Sequence, residues 1–328
     1  MPDTVESLVH ALGDRDRGRR AAAEDGLVAL GAEVVDHLLP ILSSGRPRRH
    51  ALRAESVFRR LGEDAVPRLR EIRSHGPGHL RRVALRLIAD LSGEQGLDLA
   101  DRRAVERLIR VKLRSERPVM LPPESRWLAT PADRFDALVA ALGLHDLRAA
   151  TTVMGLAATE AGSAHDSMQI KTPNGDKETV YRVFITPQFG AWRLLYGNAF
   201  LDAFGGEYLT EKVSGQCGEA HFYRIDTYHD AHVWCVARNG HMVRRHASWG
   251  DPEWVGDPLP FEVDYLEDRM WIEPSLISPQ GVTDANVAAR YLSVDVGYMP
   301  ESETHGHGWL ATTHPGSPNS HFRGALPI

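Results

Sequence analysis

From Arg17 to Leu91 the apolar positions return on a helical spacing, and the pattern itself returns about one repeat later. Ala23 and Leu27 lie over Ala54 and Phe58 at an offset of 31, and Ala84 and Ile88 follow at an offset of 30. The segment LGAEVVDHL from Leu30 lies over LGEDAVPRL from Leu61, matching Gly31 to Gly62, Val35 to Val66 and Leu38 to Leu69. Each unit predicts two helices, such as Arg48–Leu61 and Asp64–Arg73, with Gly31, Gly62 and the Ser43–Ser44–Gly45 run as breakers. Pro67 falls in the first turn of its helix, where a missing N–H costs nothing.

A lone helical pair cannot cover its apolar face, so repetition at this period predicts pairs stacked on one another. Leu30, Leu61 and Leu91 are then expected in one core, with Gly31 and Gly62 in matching backbone conformations. The segment resembles the HEAT-repeat family over residues 1–115, with LGEDAVPRL the best match. The resemblance implies an all-α solenoid that holds a partner on its concave ridge.

Pro118, Pro122 and Pro123 stiffen residues 116–126, which read as a linker. A helix is expected next, with Thr130 as N-cap, Pro131 at its first position and Gly143 as its stop. Another is expected from Asp146 to about Ala161. After Gly162 the period switches to alternation, which predicts strands at Met168–Lys171, Thr179–Ile185, Trp192–Tyr196, Ala220–Asp226, Val233–Ala237 and Met242–Ala247. Asn198–Val213, interrupted at Gly205–Gly206, and Thr283–Leu292 read as helices. The chain is therefore expected to be two-domain, with an α+β domain of mainly antiparallel sheet over residues 127–300. Residues 301–328, rich in Gly, His and Pro, read as a tail.

Asn239–Gly240 is a strong type I′ hairpin signal. A plain two-residue turn there places Trp234 opposite Arg245, a cation–π pair, Val236 opposite Val243 and His232 opposite Ala247. Several segments of this region, among them VFITPQFGAWRLLYG, GEAHFY, VARNGHMVRRHAS and GDPLPFE, resemble an uncharacterised bacterial domain family. That resemblance implies a domain boundary and an immunity or accessory role, and it assigns no site.

Charge separates the halves. Residues 1–120 carry 23 Lys+Arg against 18 Asp+Glu, and the remainder 15 against 26. Different partners for each half, or docking of one on the other, are the expectations. There is no secretory signal pattern and no run near the ~20 apolar residues that span a bilayer. With only Cys217 and Cys235, a cytoplasmic protein with reduced thiols is expected.

Candidate chemistry is sparse. His229, Asp230 and His232 lie close together and offer metal-ligand or acid–base groups, although an extended chain sends neighbours to opposite sides. Cys217 with His232 suggests a cysteine nucleophile, against which a separation of 15 residues argues. Gly306–Ala311 satisfies Gly-x-Gly-x-x-Ala without a βαβ context, and Walker A, His-Glu-x-x-His and Gly-x-Ser-x-Gly are missing. No cofactor and no metal are expected.

The leading functional expectation is a non-catalytic protein-binding or accessory module. Arg48, Arg49, Arg53, Arg81, Arg82 and Arg86 would hold an acidic protein or peptide, since the guanidinium fork suits carboxylates. The alternatives are an enzyme with a cleft site built on the His/Asp cluster, and nucleic-acid binding through the arginines, for which a net of +5 is weak footing.

Overall fold

A computed structural model describes residues 4–43, 48–114, 116, 121–122, 125–159, 165–268, 280–297 and 304–322. Contacts divide the chain into two compact units, the first running to Leu108 and the second from Ile109 to Phe322.

The first unit is helical: α1 (Val5–Ala11), α2 (Arg17–Ala29), α3 (Val35–Ser43), α4 (Arg48–Leu61), α5 (Val66–His75), α6 (Gly78–Ser92) and α7 (Leu99–Leu113), whose last residues enter the second unit. Local chemistry sets the ends. Thr4 and Asp16 cap α1 and α2 by accepting from the N–H groups of Ser7 and Arg19. Pro67 sits in the first turn of α5. Gly31 and Gly62 take φ of 70° and 60°, and each opens a short 3-10 turn into α3 and α5. A Cβ at either glycine would meet nothing, so the backbone conformation, not space, requires them. Successive units thus share one turn, as the repeat predicts. Leu61 and Leu91 are buried, but Leu30 is 39% exposed and does not join their core. Leu27 and Val34, both fully buried, fill the interior at that junction.

The second unit alternates strands and helices: β1 (Arg126–Pro131), α8 (Phe135–Leu142), β2 (His145–Ala150), α9 (Thr152–Thr159), β3 (Ser167–Lys171), β4 (Lys177–Ile185), β5 (Gln188–Phe189), β6 (Trp192–Tyr196), α10 (Asn198–Phe204), α11 (Gly206–Cys217), β7 (Glu219–Asp226), β8 (Ala231–Arg238), β9 (His241–Ala247), β10 (Glu253–Val255), α12 (Pro260–Asp268), α13 (Ala285–Leu292), β11 (Thr304–His305) and β12 (Gly308–Thr312). The sheet is antiparallel, in the order β10-β9-β8-β7-β1-β6-β4-β12-β2, with β3 beside β4 and the β5–β11 pair beside β6. On one face α8, α10 and α11 bury Leu138, Phe200, Leu209 and Val213 against Leu128, Phe222, Val233 and Cys235. On the other face α9 packs on β4, where the Phe184 ring fills the space over Gly155, and α13 packs on β7 and β8.

Several expectations are corrected. Arg126–Pro131 is a strand paired with β6 and β7, so Thr130 opposes Arg193 in the ladder and caps no helix. The helix begins only at Phe135, though Gly143 ends it at φ 62° as expected. The first part of the expected Asp146–Ala161 helix is strand β2, because β12 offers it a partner. Residues 304–322 are no tail, since β12 runs between β4 and β2. Most of the Pro-rich segment lies outside the described residues, and Leu121 within it is buried. Residues beyond Phe322 lie outside them too.

Asn239 and Gly240 take φ of 50° and 85°, which makes the expected type I′ turn. A bulge at Val243 then shifts the pairing by one, so Trp234 faces His246 and Cys235 faces Arg245. The Trp234–Arg245 contact therefore does not form. Arg245 turns to Glu207 and Glu253, while Arg244 lies 4.3 Å from the Trp254 ring.

Candidate functional site

His229, Asp230 and His232 do not converge. The turn after β7 exposes His229, whose Nδ1 lies 3.0 Å from the Asp226 carboxylate. Asp230 is exposed at φ 50°. His232 points to the α13 face, where its Nδ1 accepts from the Ala285 N–H at 3.2 Å. Among the described residues no three His, Cys, Asp or Glu side chains gather as a metal site would need.

Neither cysteine is built as a nucleophile. Cys217 is buried on the α11 side of the sheet, opposite to the face His232 occupies, and burial raises its thiol pKa. Burial pushes Cys235 up to about 12. Both stay protonated near neutral pH. Gly306–Ala311 enters strand β12, and among the described residues no α-helix follows it. Gly308 there is a packing residue, since a Cβ would lie 2.4 Å from the Phe184 ring.

The arginines singled out in the helical unit are largely engaged within it. Arg53 donates to Glu24 at 3.0 Å and Arg86 to Glu55 at 2.9 Å. Arg81 donates to the Gly76 carbonyl at the end of α5. Arg82 lies on α6; Arg48 and Arg49 open α4, and their side chains lie outside the description. Arg68 meets Asp36 and Arg73 meets Asp101 across 32 and 28 residues, so carboxylate–guanidinium rungs recur at close to the repeat period.

Two further arrangements bring together residues outside the expected candidates. The first is a polar line on one face of β7. Alternation aligns Glu219, His221 and Tyr223, a signal present in GEAHFY. His221 Nε2 lies 3.1 Å from Glu219, its Nδ1 lies 3.2 Å from the Tyr223 hydroxyl, and that hydroxyl lies 3.1 Å from Ser293 Oγ. The hydrogen bond from His221 holds Glu219 down to about 2, so it is an anion. Burial lowers the His221 pKa and keeps the ring neutral. Nε2–H therefore donates to Glu219, Nδ1 accepts from Tyr223, and the Tyr223 oxygen is left to accept from Ser293, whose hydroxyl has the Ala289 carbonyl at 3.4 Å as its other acceptor. Trp192 covers the imidazole at 4.6 Å. The line can draw a proton from Ser293 towards an ionised carboxylate, the logic of an acid–base relay.

The second is an exposed aromatic group at the end of the β7–β8 hairpin, formed by Tyr228, His229 and Trp249 with the Arg224 guanidinium 4.5 Å over Trp249. Its sequence signal was weak because Trp249 lies in a different turn.

No protein-family model, curated protein or solved structure matches this chain.

Proposed function

We propose that the chain is a non-catalytic binding or accessory protein whose helical unit is a HEAT-like scaffold holding a protein partner. The observation that carries this reading is the set of rungs that tie one repeat to the next, Glu24 to Arg53 and Glu55 to Arg86. Such ties fix neighbouring helix pairs in one arrangement, and a preformed surface binds at lower ordering cost than a loose one. Because Arg53 and Arg86 are spent on rungs, an acidic partner falls to Arg48, Arg49 and their neighbours on α4. No described helix is by itself long and apolar enough to cross a membrane.

The test is cross-linking of the full-length chain in an extract of its native cells, followed by mapping of the linked residues. A stoichiometric partner linked to the helical unit is expected, with capture lost on replacing Arg48 and Arg49 by Glu and kept on replacing Arg81. Links confined to the sheet unit, or capture indifferent to the charge reversals, would overturn the scaffold reading.

A second reading is favoured by the Glu219–His221–Tyr223–Ser293 line, an acid–base arrangement with both of its ends off the core. In that reading the sheet unit is an enzyme with Ser293 as the group deprotonated, its hydroxyl turning from the Ala289 carbonyl to Tyr223. Labelling of Ser293 by a serine-directed phosphonate, abolished by His221→Gln, would support it, and an unlabelled Ser293 would sink it.

A further inference from the structure

The β7–β8 turn and the turn after β9 together carry an aromatic ridge that the fold leaves bare. Tyr228 is 89% exposed and Trp249 48%. The His229 ring stands 4.8 Å from Tyr228 and 5.8 Å from Trp249, joining them into one row. Asp226 fixes the turn from beneath by accepting from the N–H groups of Tyr228 and His229 at 3.0 and 3.2 Å. A large aromatic group facing water on a hydrogen-bonded turn has the composition of a binding hot spot.

Charge decides what sits on it. Arg224 is committed to the Trp249 ring and to Asp202 at 3.7 Å, and its cross-strand neighbour Arg126 pairs with the same Asp202. Asp230 and Asp251 bracket the ridge in the chain, and both are exposed. Among the described residues neither enters an ion pair. Elsewhere in this unit Arg238, Arg244, Arg245 and Arg290 are each spent on a carboxylate. From residue 121 onward 26 Asp+Glu face 15 Lys+Arg, so the unpaired charge of this half is negative. Aromatic faces beside free carboxylates fit a desolvated ammonium or guanidinium group. The same field repels phosphate, which disfavours base stacking of a nucleic acid on the ridge.

We propose that the ridge docks a lysine- or arginine-bearing segment of a partner protein, with its cationic head over the open ring of Tyr228 and its apolar stem along the exposed edge of Trp249, and with Asp230 and Asp251 as counter-charges. The proposal deepens the binding reading above but rests on a different surface and the opposite charge.

The test uses the full-length chain and three labelled probes: a short Lys/Arg-rich peptide, a Glu-rich peptide of equal length and a short single-stranded oligonucleotide. Fluorescence anisotropy at low and moderate salt reads the affinities. The basic peptide should bind best, and Tyr228→Ala should weaken it about three- to fivefold. Asp230→Asn with Asp251→Asn should weaken it at low salt, with the difference shrinking as salt rises. Tyr228 lies almost wholly in solvent, so its variant keeps the fold, and circular dichroism checks this. Equal binding of the acidic peptide, preference for the oligonucleotide, absence of basic-peptide binding, or an unchanged Tyr228→Ala affinity would each overturn the proposal. Arg48→Glu with Arg49→Glu should leave peptide binding as it is. Peptide binding without partner capture would sink the scaffold reading alone, and capture without peptide binding would sink the ridge alone.

Discussion

Arg86 donates to Glu55 at 2.9 Å across 31 residues, and that separation is the period of the sequence itself. The rung before it joins Arg53 and Ser56 to Glu24, which is the more buried carboxylate. A repeat in which each unit supplies an acid to the arginine of the next makes cohesion between repeats partly electrostatic.

Removing Glu24 strips two donors of their acceptor in a half-buried place. Glu24→Ala should cost about 1 kcal/mol in urea unfolding, and the cycle with Arg53→Ala should show a coupling of about 0.5–1 kcal/mol. Glu55→Ala should cost less, because both partners of that rung are more exposed. A coupling near zero at Glu24 would mean that packing alone sets the spacing of the repeats.

Asp90, on α6, is a misfit in the same unit. Burial raises its pKa from 3.8 to about 6, Arg86 opposes the shift and Glu55 adds to it. A folded pKa above the unfolded one means that ionisation costs stability. The contribution is most favourable below about pH 4 and is lost as the pH rises through 6. Asp90→Asn should therefore stabilise the chain by about 1–2 kcal/mol at neutral pH and hardly at all in mild acid. Unfolding midpoints of both proteins across that range check the sign.

The parts of the fold that could be read from sequence are those whose cause is local. Gly31 and Gly62 announce themselves because only glycine takes their φ cheaply, and Asn239–Gly240 fixes its turn for the same reason. Elements decided by distant partners were not legible. Thr130–Pro131 carries a helix-start signal, yet β6 and β7 claim it for the sheet. The bulge at Val243 leaves no mark in the sequence, and it moves Trp234 from Arg245 to His246. The candidate sites follow the same rule. Glu219, His221 and Tyr223 lie in one strand and were open to reading, whereas Ser293 and Trp249 come from far along the chain.

The buried pair Arg244–Glu262 shows what the bulge serves. Arg244 Nε and Nη2 donate to the Glu262 carboxylate at 3.0 Å, while Nη1 donates to the Gly256 carbonyl and Nη2 also to the Gln280 carbonyl, both at 2.6 Å. Glu262 also accepts from the N–H groups of Leu259 and Val282. Cutting one partner leaves a buried charge alone, so Glu262→Ala should cost about 3–5 kcal/mol. Replacing Arg244 by Met and Glu262 by Leu together should cost much less, although the freed carbonyls and N–H groups keep the double variant below the native protein. Thermal unfolding of the three proteins gives the comparison, and equal losses in the single and double variants would refute the role of unpaired charge.

His246 provides the sharpest dependence on acid. It is fully buried beside the Trp254 ring at 4.3 Å, and neither of its ring nitrogens makes a hydrogen bond of ordinary geometry. Burial first, then the charges of His232, Arg244 and Arg245, lower its pKa from 6.5 to about 4. The unfolded chain therefore takes up the proton at higher pH than the folded one. Stability is whole above about 6.5 and falls as the pH drops towards 4, by on the order of 2–3 kcal/mol. Asp90 acts in the same window with the opposite sign, so a global unfolding curve would mix the two. Hydrogen exchange resolves them: amides of β8 to β10 should lose protection between pH 6.5 and 4, after correction for intrinsic exchange, while those of α6 gain it. His246→Phe keeps a ring against Trp254 and removes the titration, and it should flatten the response of β8 to β10 alone. An unchanged slope in that variant would place the acid sensitivity of the sheet elsewhere.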